Sequence, residues 1–250
     1  MGGENANIIA QLKKEILPLQ GIKSIKGKEN FDPGLGSIRF SFPNSCFPLA
    51  AMHEFCCDEK ENTAATAGFI SGILSRLMKD GGTCIWVRTA KTIFPPGLKT
   101  FGINPEKIIF VDLKTDKDVL WVTEEALKFD GLAAVIAELR ELDFKASRRL
   151  QLAVEHSRVT GFIIRIKPKN LHAGRQDINT TACVTRWRIS SIHSDSPNDL
   201  PGIGFPCWNV ELLKVRNGIP GSWQVEWING RLKPIQKSIT IIPEEQKKTG

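Results

Sequence analysis

Met52-His53-Glu54-Phe55-Cys56-Cys57-Asp58-Glu59-Lys60-Glu61-Asn62-Thr63-Ala64 is the stretch on which the fold turns. Met52 to Cys56 reads as the end of a buried strand, and Cys57 to Asn62 as a polar turn. From Thr63 onward Phe69, Ile70, Ile73, Leu74, Leu77 and Met78 recur at three and four, so they share one side of a helix facing a sheet. Strand, turn and helix in this order is the layout of a phosphate-binding P-loop. That motif reads G-x-x-x-x-G-K-[ST], because bare backbone amides wrap the phosphates and the lysine reaches the terminal ones. In register, Cys57 and Asn62 replace the two glycines, Thr63 replaces the lysine, and Ala64 stands where a magnesium-binding hydroxyl belongs. Asp58, Glu59 and Glu61 would repel a triphosphate. The scaffold of a nucleotide site is expected here without its chemistry.

Outward from this stretch, strands and helices alternate. Thr83–Val87, Lys107–Val111, Leu132–Ala137 and Thr160–Ile166 read as buried strands, and helices are expected over Thr115–Leu127 and Phe144–His156. That alternation predicts an α/β fold, a mostly parallel central sheet flanked by helices. Past Lys167 the pattern changes. Cys183–Ile192 and Asn209–Val215 alternate, and Asn217–Gly221 links the latter to Trp223–Trp227 as a hairpin would, so the C-terminal strands are expected to be antiparallel. Ser37–Phe42 alternates like an edge strand. Upstream, Asn5–Leu17 reads as an amphipathic helix with Ile8, Ile9, Leu12 and Ile16 on one face, a local packing element or a candidate partner contact. The expected organisation is a helix and tether over 1–36, a core over 37–238 and a charged, disordered tail over 239–250.

With 250 residues and 41% hydrophobic composition the chain can bury one substantial core. It shows neither a secretory leader nor an apolar run of the roughly eighteen residues that a membrane span needs, which predicts a cytoplasmic protein with no membrane contact. The six cysteines form no C-x-x-C pair and no Cys/His ligand spacing, so no metal is expected. Cys56 and Cys57, adjacent on a strand, are expected to point opposite ways, leaving one reachable by a thiol reagent. A net charge of +7 suits nucleic acid or an acidic protein. The charge is concentrated: Arg165, Lys167, Lys169, Arg175, Arg186 and Arg188 face one acid, Asp177, over that span.

The order of these phrases is similar to the core of the RecA recombinase. Gly102–Phe110 resembles the segment entering the strand after its first crossover, while Glu124–Leu127 and Gly131–Ile136 resemble the helix and strand leading to its Walker B position. Closer still is the ImuA family, RecA-like proteins encoded with error-prone translesion polymerases. Leu49–Glu54, Phe94–Leu98, Asp118–Trp121, Ser147–Ala153 and Thr185–Arg188 all look like that family's phrases, over about residues 35 to 230. The resemblance places the Walker B aspartate near Ala137-Glu138, so Glu138 could stand in for it. It offers no carboxylate in Arg88-Thr89-Ala90-Lys91, where the glutamate that orients water should follow its strand. Lys214 and Arg216 match the basic pair that RecA presents to a neighbour's nucleotide. The expectation is a protein with no ATPase activity and no cofactor.

Lys167–Ala182 stands where RecA has its second DNA-contacting loop. Lys167, Lys169, Arg175, Arg186 and Arg188 are therefore candidate contacts to single-stranded DNA, with a solvated basic loop as the plain alternative. Trp187, between two arginines on a strand, is expected in the core. For Trp208, Trp223 and Trp227 packing within the antiparallel part is open as well, yet Trp223 and Trp227 share a strand face, and an exposed pair there would mark a protein interface. The resemblance implies an accessory protein of a damage-induced mutagenic complex. Its partners would be an ImuB-like Y-family polymerase homologue, a replicative-type α-subunit error-prone polymerase and the RecA filament. A RecA-like DNA-dependent ATPase and a SulA-like inhibitor of cell division acting on FtsZ are the alternatives.

Overall fold

A computed structural model describes residues 31–59, 61–166, 180–194 and 204–235. Ile8, Ile9, Leu12 and Ile16, the stretch holding Lys167, Lys169 and Arg175, and the tail over 239–250 lie outside the described residues.

The founding stretch forms strand β1 (Met52–Cys57) and helix α1 (Asn62–Leu77). The chain continues through β2 (Thr83–Arg88), β3 (Ile108–Asp112), α2 (Asp116–Leu127), β4 (Leu132–Leu139), α3 (Phe144–Ser157) and β5 (Thr160–Ile166). Strands β6 (Thr185–Ser191), β7 (Cys207–Val215), β8 (Gly221–Ile228) and β9 (Arg231–Pro234) complete it. All nine lie in one sheet, ordered β3-β2-β4-β5-β1-β6-β7-β8-β9. Neighbours from β3 to β6 run parallel, and from β6 to β9 antiparallel. This is the mixed sheet expected from the sequence. β6 is the joint, parallel to β1 on one side and antiparallel to β7 on the other.

Period-two alternation splits the sheet's side chains between two cores. Phe55, Trp86, Ile136, Phe162, Ile164 and Trp187 face α1. Val87, Val135, Ala137 and Ile163 face α2 and α3, meeting Val119, Leu127, Leu150 and Val154. Each helix is capped locally where it can be: Thr115 accepts from the backbone N–H of Asp118, and Asp143 from that of Ala146. Helix α1 differs, because it is buried nearly all round. Its Gly68 and Gly72 admit two indoles: a Cβ at Gly68 would sit 3.0 Å from Trp208, and one at Gly72 2.8 Å from Trp227.

Four local expectations are corrected. Gly36–Ser41 is a 3-10 helix, where alternation over Ser37–Phe42 predicted a strand. Ile38 and Ser41 are buried at a spacing of three, while Phe40, which a strand would have turned inward, is 64% exposed. The strand read as buried at Lys107–Val111 is the edge strand β3, with Ile109 51% exposed. Cys56 and Cys57 do point opposite ways, yet both are buried, because both faces of β1 are covered. Trp223 and Trp227 form no exposed pair: Trp227 is buried beside Phe101 and Trp208, and Trp223 packs against the same core.

Candidate functional site

The carboxyl ends of the parallel strands and the start of α1 enclose a cavity of about 680 Å³. This is the place where open α/β sheets hold their ligands. Its lining comes from Thr63, Ala64 and Ala67 on α1, the segment Thr89–Ile93 after β2, Asp116, Glu138–Arg140 at the end of β4, and Ile166. Three of the residues read as a degenerate nucleotide site, Thr63, Ala64 and Glu138, are thus gathered in one wall. The other two frame it. Cys57 closes β1 and Asn62 opens α1, its N–H bonded to the Glu59 carbonyl at 3.1 Å.

The turn between them is organised by acid and thiol. The Cys57 thiol donates to the Thr66 hydroxyl at 3.2 Å, and burial pushes its pKa up to about 11. Asp58 Oδ2 pairs with Arg188 Nε at 2.8 Å, and the same guanidinium reaches Glu211 at 3.5 Å. Glu61 precedes α1 without a side-chain cap. A helix start favours negative charge, and here the chain supplies its own.

Glu138 is buried at the cavity wall. Trp86 Nε1 donates to it at 2.8 Å, and the Thr92 hydroxyl at 3.2 Å. Burial outweighs these donors and raises its pKa, so the protonated form is favoured more than in water. Where a water-orienting carboxylate would follow β2, Arg88 turns away from the cavity. It pairs with Asp112 at 2.8 Å and lies over the Phe110 ring, with Lys91 also on Asp112 at 3.4 Å. Among the described residues no group of three His, Cys, Asp or Glu side chains could hold a metal.

The candidate basic contacts divide. Arg186 is bound to the buried carboxylate of Glu54 and Arg188 to Asp58, so the guanidiniums read as DNA ligands are engaged inside the protein. Their partners were the missing piece: a charged residue in an apolar strand, as Glu54 is, signals that counter-charges must lie nearby. Lys214 donates to the carbonyl of Thr181 at 2.9 Å and Arg216 to that of Ala182 at 3.2 Å. Trp86 and Thr92 escaped notice because nothing in local spacing distinguishes them from core and loop residues.

No family model matches the chain. Two curated relatives do, both named Protein ImuA, from Caulobacter vibrioides strains NA1000 and ATCC 19089. Each is 35% identical over 195 residues, spanning 76% of this chain and 80% of the relative. The chain belongs to the ImuA family. Among solved structures, the crystal structure of the RadB recombinase covers 82% of this ImuA-family chain and is itself covered completely, with a TM-score of 0.56 at 13% identity. That likeness gives the ImuA-family protein a recombinase-type, RecA-like fold. No helix among its described residues is long and apolar enough to cross a membrane.

Proposed function

We propose that this ImuA-family protein is a non-catalytic, cytoplasmic RecA-like accessory subunit of a damage-induced mutagenic translesion complex. It works through protein contacts and, over Lys167–Arg175, through single-stranded DNA. The observation that carries this reading is the Cys57–Ala64 junction. Catalysis of phosphoryl transfer rests on positioning and electrostatic stabilisation of the γ-phosphate by a cradle, a lysine and a metal. Here the cradle glycines are a buried cysteine and a helix-opening asparagine, and the lysine position is Thr63. Glu138 stands at the Walker B end of β4, but its carboxylate is occupied by Trp86 and Thr92.

An accessory protein of this kind would meet an ImuB-like Y-family polymerase homologue, a replicative-type α-subunit polymerase and RecA. Pull-down with purified candidates tests this: capture of the ImuB-like protein supports the reading, whereas capture of FtsZ alone would favour a division inhibitor. Phosphate release above background from purified protein, abolished by Glu138→Gln, would replace it with a DNA-dependent ATPase.

A further inference from the structure

Several large apolar side chains are well exposed among the described residues, and three of them lie on the outer sides of two adjacent helices: Trp121 on α2, and Phe144 and Leu152 on α3. Single exposed apolar residues are ordinary on a protein surface. These three are joined. Arg149 pairs with Glu124 across the two helices. Trp121 stands one turn before Glu124 and Leu152 one turn after Arg149, so indole and leucine flank the same ion pair. Phe144, Arg148 and Leu152 follow at intervals of four along one side of α3. The inner sides of both helices are spent on the sheet, through Val119, Leu127, Leu150 and Val154. Trp121 is left 63% exposed, although an indole is among the largest apolar surfaces a side chain can bury.

Charge divides the same face in two. Helix α2 carries Asp116, Asp118, Glu124 and Glu125 against Lys117, whereas α3 carries Lys145, Arg148 and Arg149 against Glu155. Asp116 is taken by Arg140 and Glu125 by Lys128, while Lys145 and Arg148 pair with no acid among the described residues. An acidic strip beside a basic one repels a copy laid on it like against like. It attracts a copy turned about a two-fold axis parallel to the helices, which sets α2 of each copy on α3 of the other. The indole of Trp121 then meets the cations beside Phe144 and Leu152, a pairing of aromatic ring and guanidinium that suits an interface core.

We propose that the outer face of α2 and α3 is a self-association surface whose occupant is a second copy of this chain, in an isologous dimer anchored by Trp121. This goes beyond the accessory reading above and does not depend on it. The face is small, since helices of 12 and 14 residues are about 18 and 21 Å long. Faces of that size belong to complexes that form and part with concentration.

The test is sedimentation velocity on the full-length protein across the micromolar range. The average mass should rise from that of one chain toward that of two, and added salt should weaken the association because the charged strips are exposed. Trp121→Ala should raise the Kd by about tenfold or more, the scale of an interface anchor, and Arg148→Glu should raise it as well. Arg148→Glu combined with Glu125→Lys, which exchanges a sign on each strip, should regain part of the loss. Trp121, Glu125 and Arg148 are exposed, so each variant should keep the parent's melting temperature. A protein that sediments as one chain at every concentration overturns the proposal, even if an ImuB-like homologue binds through Trp121, because the face would then serve a different partner. Association indifferent to both Trp121→Ala and Arg148→Glu overturns it too, since the dimer would then be built elsewhere.

Discussion

His53 shows how far a single side chain can be read once its partners are known. It is fully buried, stacked against Phe47 with ring centroids 4.5 Å apart, and bonded at both nitrogens. Trp187 Nε1 donates to the Thr185 hydroxyl oxygen at 2.6 Å, so the Thr185 proton is directed to His53 Nδ1 at 2.7 Å. Nε2 then carries the ring proton and donates to the Pro48 carbonyl at 2.9 Å. Desolvation lowers its pKa from 6.5 to about 3. The unfolded chain therefore binds the extra proton first, and stability that is fully present above pH 6.5 is lost as pH falls toward 3, by about 1.4 kcal/mol per pH unit within that window. Urea unfolding from pH 7 to pH 4 should show this slope diminished in His53→Gln. Glu138 has the opposite sign: its raised pKa favours the folded state at low pH, and that contribution disappears as pH rises through the folded value. Glu138→Gln, which removes the buried charge and keeps an acceptor for Trp86, should leave the melting temperature at pH 8 unchanged or higher. The cysteines give a simpler check. A native thiol titration should label exposed Cys46 and spare Cys56, whose pKa burial pushes up to about 12, together with Cys57.

At the scale of elements, α1 is where packing decides most. Gly72 lets the helix lie against Trp227, and an added Cβ would meet that ring at 2.8 Å. Gly72→Val should cost about 1–3 kcal/mol in denaturant unfolding by overpacking a full core, whereas Gly97→Ala, with only Phe94 within 4 Å of the new Cβ, should be nearly neutral. The interior elements were legible from sequence because buried parallel strands are continuous apolar runs and α2 and α3 carry their own caps. Elements whose form depends on a distant neighbour were not. Gly36–Ser41 becomes a 3-10 helix against β9, where Leu232 N–H bonds the Gly34 carbonyl, and β9 exists as the partner of β8. The position of the site was legible in the same way, since the end of β1 and the start of α1 are local signals. The ion pairs were not: Glu54 and Arg186 are 132 residues apart in sequence, and only the parallel pairing of β1 with β6 brings them together.

At the scale of the whole molecule, a recombinase-type sheet carries a cavity at its carboxyl edge, and the charged groups in and around it are bound to one another. Glu138 is bound by Trp86 and Thr92, Arg88 by Asp112, and the turn after β1 by its own acids and Arg188. Nucleotide should therefore have nothing to hold it. Isothermal titration of the purified full-length protein with magnesium-ATP, at low ionic strength, tests this most directly. The account predicts no saturable heat up to millimolar nucleotide. A stoichiometric isotherm with micromolar affinity that moves with substitution of Thr63 or Ala64 would contradict it.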